Sequence, residues 1–179
     1  MELNILHAIQ TLHNPVLDKI MITVFNNFVG SLGQLWILVG LVLLVIPKTR
    51  KCGAAVLLSY VVSFLIGNEW LKDWIARPRP CAVDDTVLMI VKKPSSFSCP
   101  SVHTYLAFSS AMAIFHYYKK PGIGVFIFAA FVGFSRMYFF VHYLTDVLFG
   151  AALGFATAVV VCMVLDKICD RKKMKKLQK

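Results

Sequence analysis

Apolar residues recur along this chain in runs of membrane length, separated by short polar breaks. A spanning helix needs about 20 mostly apolar residues. The runs and their breakers predict helices near Gly30–Ile46, Gly53–Ala76, Ser101–Tyr118, Gly122–Phe140 and Tyr143–Lys167. Upstream, Leu3, Leu6, Ile9 and Leu12 stand at helical spacing with polar residues between them. That pattern predicts an amphipathic helix at the membrane surface within residues 1–14. Pro15 suits the start of a further helix. Pro15–Phe28 is short and carries Asp18, Lys19, Asn26 and Asn27, so it reads as a sixth span or as a second interfacial piece, with the span favoured. The expected fold is all-α: a polytopic membrane bundle of about six transmembrane helices, five if Pro15–Phe28 is interfacial. Its membrane-embedded domain occupies 15–168 and a basic tail 169–179.

Composition supports this reading. The 179 residues are 58% hydrophobic, with a mean hydropathy of +0.70, above the usual apolar share of soluble domains. There is room for one bundle and no second domain, and no internal repeat is visible. Met1–His13 lacks the basic stretch and compact apolar core of a cleaved signal peptide. The net charge of +10 does not indicate nucleic acid, because seven of the 19 basic residues lie in the tail from Lys167 to Lys179. Such a tail fixes topology and meets anionic headgroups.

Basic residues then orient the bundle. The Pro47–Lys51 turn holds Lys48, Arg50 and Lys51, and the turn after Tyr118 holds Lys119 and Lys120. Alternating spans bring these turns and the tail to one side, which the positive-inside rule makes cytoplasmic. The other side receives the Arg77–Pro100 loop and the Met137–His142 turn, with Arg77, Arg79, Lys92, Lys93 and Arg136. The expectation is a multi-pass protein of the cell membrane with its polar cluster facing outward and its C-terminus cytoplasmic.

Three constellations converge on that outward side. From Gly122 to Leu165 the only strongly polar side chains are Arg136, His142 and Asp146, and such groups at membrane depth are functional candidates by default. His142 and Asp146 are four apart, so they share a helix face if that stretch is helical. A carboxylate on one imidazole nitrogen fixes the tautomer and leaves the other basic. The alternative is a buried ion-pair network joining two helices. The second constellation is Pro100-Ser101-Val102-His103 at a predicted helix start, where free N–H groups receive phosphate. The plain reading there is a serine cap beside an interfacial histidine. The third runs from Lys72 to Arg77-Pro78-Arg79-Pro80, with snorkelling onto headgroups as its alternative. Four cations around one point need a multivalent anion among them, and a phosphoryl group fits.

At this point the chain resembles the type 2 phosphatidic acid phosphatase superfamily, a family of membrane lipid phosphatases. That family carries Lys-x6-Arg-Pro, Pro-Ser-Gly-His and Ser-Arg-x5-His-x3-Asp. Here the matching positions are Lys72 through Arg79-Pro80, Pro100-Ser101-Val102-His103, and Ser135-Arg136 with His142 and Asp146. The resemblance spans roughly residues 30–167. It implies that His142 is the nucleophile forming a phosphohistidine, that Asp146 orients it, and that His103 protonates the leaving oxygen. Lys72, Arg79, Ser101, Val102 (through its N–H) and Arg136 match the phosphate-binding positions, with Arg77 as a further cation outside the strict motif. No metal and no other cofactor is implied. Val102 replaces the family's glycine, so the turn there must be achievable with ordinary helical dihedrals.

The implied substrate is a lipid phosphate drawn from the bilayer: phosphatidylglycerophosphate, undecaprenyl pyrophosphate or monophosphate, or phosphatidic acid. The partners are that substrate and membrane lipids, with no nucleic acid. Two other classes compete: a proton-coupled carrier of an anionic solute using the same charges, and a zinc hydrolase built on His103, His142 and Asp146. Cys81 and Cys99 bracket the outward loop, and a disulfide between them would clamp it over the site. His116, thirteen residues beyond His103, is expected about 20 Å away at 1.5 Å per residue, near the other membrane face.

Overall fold

The computed structural model describes residues 1–29 and 33–177, the last six of them as backbone only. All regular structure among the described residues is helical. Helix α1 (Glu2–Gln10) buries Leu6 completely. Helix α2 (Pro15–Ile20) opens on Asn14, whose side-chain oxygen accepts from the Leu17 N–H at 2.9 Å, an ordinary N-cap. It continues into a wider-wound π-helical stretch, Met21–Phe28. Helices α3 (Gln34–Val45) and α4 (Arg50–Phe64) follow. A second π-helical stretch, Leu65–Leu71, carries α4 onward to a last turn at Lys72–Ile75. The short α5 (Pro80–Val83), then α6 (Val102–Tyr117), α7 (Lys119–Tyr138) and α8 (Leu144–Leu177) complete the chain.

Among the described residues, three stretches are long and apolar enough to cross a membrane: Arg50–Val83, Lys119–Tyr138 and Leu144–Arg171. Helix α6 is shorter and sits at the centre, packed against α4, α7 and α8, with most of its residues buried. Small residues let the backbones meet there, as membrane helices require where no water drives association. A methyl group built on Gly150 would stand 2.7 Å from the Ser101 carbonyl oxygen, and one on Gly154 would stand 2.6 Å from that of Tyr105.

The N-terminal segments pack on α7 and α4. Asp18 meets the Tyr138 hydroxyl, Phe25 packs beside Phe131 and Phe128, and Trp36 meets Phe128. Gly40 then lies against Val56 and Leu57. Pro15–Phe28 therefore lies along α7, and Gln34–Val45 lies against α7 at Trp36 and against α4 at Gly40. The polar pair Asn26-Asn27 divides the hydropathy signal. Gly33, at φ +68°, re-aims the chain immediately before α3, in a conformation that glycine adopts readily. The first part of the expected Gly30–Ile46 helix, residues 30–32, lies outside the described residues.

The last helix runs ten residues past its expected end at Lys167. Lysine and arginine are good helix formers, so the fall in hydropathy marks the end of the apolar run and not of the helix. The three basic segments meet at one end of the bundle. There Asp166 accepts from Lys51 at 2.7 Å, from His116 at 2.8 Å and from the Tyr117 hydroxyl at 2.9 Å, while the Tyr118 hydroxyl donates to the Lys48 carbonyl. His116 thus sits at the end opposite the polar cluster.

Candidate active site

A cavity of about 460 Å³ opens at the end of the bundle away from the basic turns. Lys72, Arg79, Val102, His103, Arg136 and His142 all line it. Each arrives from a helix end. Lys72 begins the last turn of the long α4 segment, Val102 and His103 open α6, Arg136 lies in the last turn of α7, and His142 stands in the turn before α8. Among the described residues, two non-glycine residues adopt the left-handed region, Ala76 at φ 47° and Phe140 at φ 57°. That conformation costs roughly 1–3 kcal/mol and gathers at functional sites. Here each lies immediately upstream of a site group: Ala76 turns the chain into Arg77–Arg79, and Phe140 turns it into His142.

Arg79 links the constellations. Its Nε donates to the Ser96 carbonyl at 2.6 Å, its Nη2 to the Ser96 hydroxyl at 3.0 Å, and its Nη1 to the Val141 carbonyl at 2.8 Å. The same Nη1 lies 3.1 Å from His142 Nε2. Arginine has no acceptor, so Nε2 must accept, and a neutral ring then carries its proton on Nδ1. Nδ1 lies 3.7 Å from Asp146 Oδ2 and has no hydrogen-bond partner. That is an ion-pair approach rather than a hydrogen bond, of the loose kind that tightens when substrate arrives. Burial pushes the His142 imidazole well below its usual range. Arg79 and Lys72 push the same way, while Asp146 opposes them. The Arg79 contact leaves the Nε2 lone pair directed at the cavity's cations.

Lys72 donates to the Ser96 hydroxyl at 3.2 Å. Arg136 donates from Nε to Ser135 Oγ at 3.1 Å and from Nη2 to the Phe25 carbonyl, and its guanidinium lies 5.0 Å from the Phe139 ring centroid. With Lys92 and Lys93, which also line it, five cations share the cavity wall, as a polyanion site requires. Val102 adopts ordinary helical dihedrals, so the residue in the glycine position imposes no backbone strain.

Two residues expected among the phosphate ligands stand behind the cavity wall instead. The Ser101 hydroxyl pairs with Thr104 Oγ1 at 2.9 Å, and its N–H donates to the Asp146 carbonyl at 3.1 Å. Arg77 is engaged by Asp146, Thr145 and Glu2, because the turn at Ala76 aims it toward α8 while Arg79, two residues on, faces the cavity. Asp146, fully buried, also lies behind His142. Cys81 and Cys99 stand as free thiols. Cys81 is buried in the apolar core, and Cys99 lies beside Asp146, which with burial pushes its thiol up to about 11.

Sequence reasoning passed over Ser96, which ties Lys72 to Arg79, and the asparagines Asn26 and Asn68, which line the cavity from the two π-helical stretches. Widened helical turns recur at functional sites, but the sequence carries no mark of them. Glu69, three residues before Lys72, accepts from Asn68 at 2.7 Å.

With this geometry in hand, similarity to known proteins is informative. The family model described as PAP2 superfamily matches residues 52–168. An undecaprenyl-diphosphatase of Sulfolobus acidocaldarius is 32% identical over 131 residues, 71% of this chain and 63% of the relative, so the chain spans under two thirds of that protein's length. The bacitracin transport permease protein BcrC of Bacillus licheniformis is 30% identical over 144 residues, 79% of this chain and 70% of its own. Among solved structures, a transmembrane PAP2-type phosphatidylglycerolphosphate phosphatase from Bacillus subtilis superposes with a TM-score of 0.68 at 29% identity, covering 92% of this chain and 84% of that one. Aquifex aeolicus LpxE shares the fold with a TM-score of 0.66 at 24% identity, covering 89% and 93%.

Proposed function

The chain belongs to the PAP2 superfamily, and from that premise we propose that it is an integral membrane lipid phosphatase working through a phosphohistidine on His142. The observation that carries this reading is the 3.1 Å contact between Arg79 Nη1 and His142 Nε2. It supports Nε2 as the acceptor, beside the cations that line the cavity.

In the proposed reaction the substrate phosphoryl group takes the donors of Lys72, Arg79 and Arg136. Arg79 thereby uncovers the Nε2 lone pair. Nε2 forms the bond to phosphorus while the bond to the leaving ester or anhydride oxygen breaks. His103 gives that oxygen a proton, and the guanidiniums stabilise the equatorial charge. Asp146 stabilises the positive charge that the ring gains. Water then attacks the phosphohistidine, the N–P bond breaks back onto His142, and His103 recovers the water's proton. Every step uses this chain's own side chains, with no metal or cofactor.

The substrate proposed is a phosphomonoester or diphosphate of a lipid: phosphatidylglycerophosphate, undecaprenyl pyrophosphate or phosphatidic acid. The cavity holds a phosphorylated headgroup, and the acyl or isoprenoid tail stays in hydrocarbon. The carrier reading keeps one point of support, the transport name of the Bacillus licheniformis relative. Against it, the charged groups of the site gather at one end, and the Lys51, His116 and Asp166 network lies apart at the other.

The test is phosphate release by the purified protein in detergent from each of the three lipids. Release from at least one is expected, with rate lost in His142→Ala and reduced by about 10² to 10⁴ in Asp146→Asn, the span usual for positioned proton chemistry. Release undiminished in His142→Ala would reject the nucleophile assignment. Absence of release from all three, alongside binding, would favour the carrier.

A further inference from the structure

This inference rests on the His142–Asp146 reading above and adds to it two residues outside the family's motif positions. We propose that α1 belongs to the catalytic apparatus: Glu2 and Arg77 are positioning residues that fix Asp146, and through it the His142 imidazole.

The contacts form a continuous chain. Arg77 Nη1 donates to Asp146 Oδ1 at 2.6 Å and to Thr145 Oγ1 at 2.7 Å. Its Nη2 donates to Glu2 Oε2 at 2.6 Å. The guanidinium lies over the Tyr143 ring, 3.9 Å from its centroid, a cation–π contact. The other Glu2 oxygen, Oε1, accepts from the Thr145 N–H at 3.1 Å and from the Thr145 hydroxyl at 2.8 Å. Thr145 is the second residue of α8, and the first N–H groups of a helix have no partner within it. Glu2 therefore caps, from the other end of the sequence, the helix that carries Asp146. Asp146 itself reaches back with Oδ2 to the Tyr143 N–H at 2.9 Å, which closes the cap.

Electrostatics explains why this chain matters for chemistry. Asp146 is fully buried, and a buried carboxylate needs a charged partner. His142 stands 3.7 Å away without a hydrogen bond, whereas Arg77 reaches Asp146 at 2.6 Å and is its directly bonded counter-ion, with the Cys99 thiol and Arg79 also near. Glu2 in turn balances Arg77. Burial works against the Glu2 charge, but the Thr145 donors and Arg77 outweigh it and hold the carboxyl below its usual range. Without Arg77, Asp146 binds a proton more readily, and a protonated Asp146 no longer stabilises the imidazolium-like charge on His142.

The test uses the purified full chain with farnesyl diphosphate in detergent micelles. Arg77→Met is expected to lower kcat about tenfold or more with KM within about twofold, and to move the acid limb of the kcat profile up by about one pH unit. Arg77→Lys, which keeps the charge but not the fork, should restore part of the rate and most of the acid limb. Glu2→Gln, which keeps an acceptor for Thr145, should shift both quantities in the same direction by less, and Glu2→Ala by more. Should Arg77→Met not accumulate as folded protein, the Glu2 pair decides. Parental kcat and pH profile in Glu2→Ala and Arg77→Met would overturn the proposal, as would a rise in KM alone, which marks a phosphate ligand. His142→Ala, assayed alongside, separates the two claims. If it is inactive while Glu2 and Arg77 variants behave as the parent, the positioning role fails and the nucleophile stands.

Discussion

At the scale of single residues, chemistry-bearing types were readable because each is costly where it stands. Arg136, His142 and Asp146 interrupt an apolar stretch, and the structure brings His142 and Arg136 to the cavity with Lys72 and Arg79. What the sequence could not convey was which way each cation turns. Arg77 and Arg79 are separated by one proline, yet one faces Asp146 and the other His142. That choice depends on the left-handed turn at Ala76, and nothing in an alanine announces positive φ. Val102 is the converse case, a departure from motif that costs the backbone nothing. Its side chain lines the cavity and is 7% exposed. Val102→Gly should therefore leave turnover within severalfold while lowering stability by about 2 kcal/mol, mostly from the lost burial of the isopropyl group and only a few tenths from helix propensity. Thermal unfolding in detergent beside phosphate release measures both. An inactive but folded Val102→Gly would give the isopropyl group a role in the chemistry.

Elements were legible to the extent that hydropathy governs them. The predicted positions of α4, α6, α7 and α8 fall within a few residues of the observed ones at their starts, because breakers such as Pro100 and the Lys119-Lys120 turn are local signals. How Pro15–Phe28 and Gln34–Val45 lie against α7 was not legible, since it depends on partners: Asp18 on Tyr138, and Phe25 and Trp36 on Phe128. The α6–α8 crossing also emerges only in three dimensions, and it sets the register between the two histidine-bearing blocks. Gly150 lies one turn beyond Asp146 and meets the Ser101 carbonyl, two residues before His103. A methyl group there, 2.7 Å from that oxygen, has backbone in its way and must separate the helix ends. Gly150→Ala is expected to cut kcat about tenfold or more, since a displacement near 1 Å at reacting groups has consequences of that order. Gly124, exposed on α7 with nothing within 4 Å of an added methyl, is the matched control. Gly124→Ala should keep full activity and gain up to about 1 kcal/mol. Equal activity in the two variants would show that the crossing does not set the site.

At the scale of the whole molecule, charge and apolar surface divide along the bundle axis. Large apolar side chains stay exposed down α8 at Leu148, Phe155, Val160 and Met163, and on α7 at Ile123, Ile127 and Phe131, as lipid-facing helices do. Near the cavity end of the α4 segment, Trp70 and Trp74 are 75% and 83% exposed, and tryptophans of this kind mark the membrane–water boundary. The opposite end gathers the basic turns around Asp166. Since short loops rich in lysine and arginine stay in the cytoplasm, the expected orientation puts the cavity outside and the tail inside. Thiol labelling decides it. In a cysteine-depleted variant that still releases phosphate, Cys169, exposed on the tail side, should resist a membrane-impermeant maleimide in intact cells and react after lysis. Leu88→Cys, at a position 88% exposed in the loop at the cavity end, should react in intact cells. The reverse pattern would place the phosphate chemistry in the cytoplasm, and the substrate would then have to come from the inner leaflet.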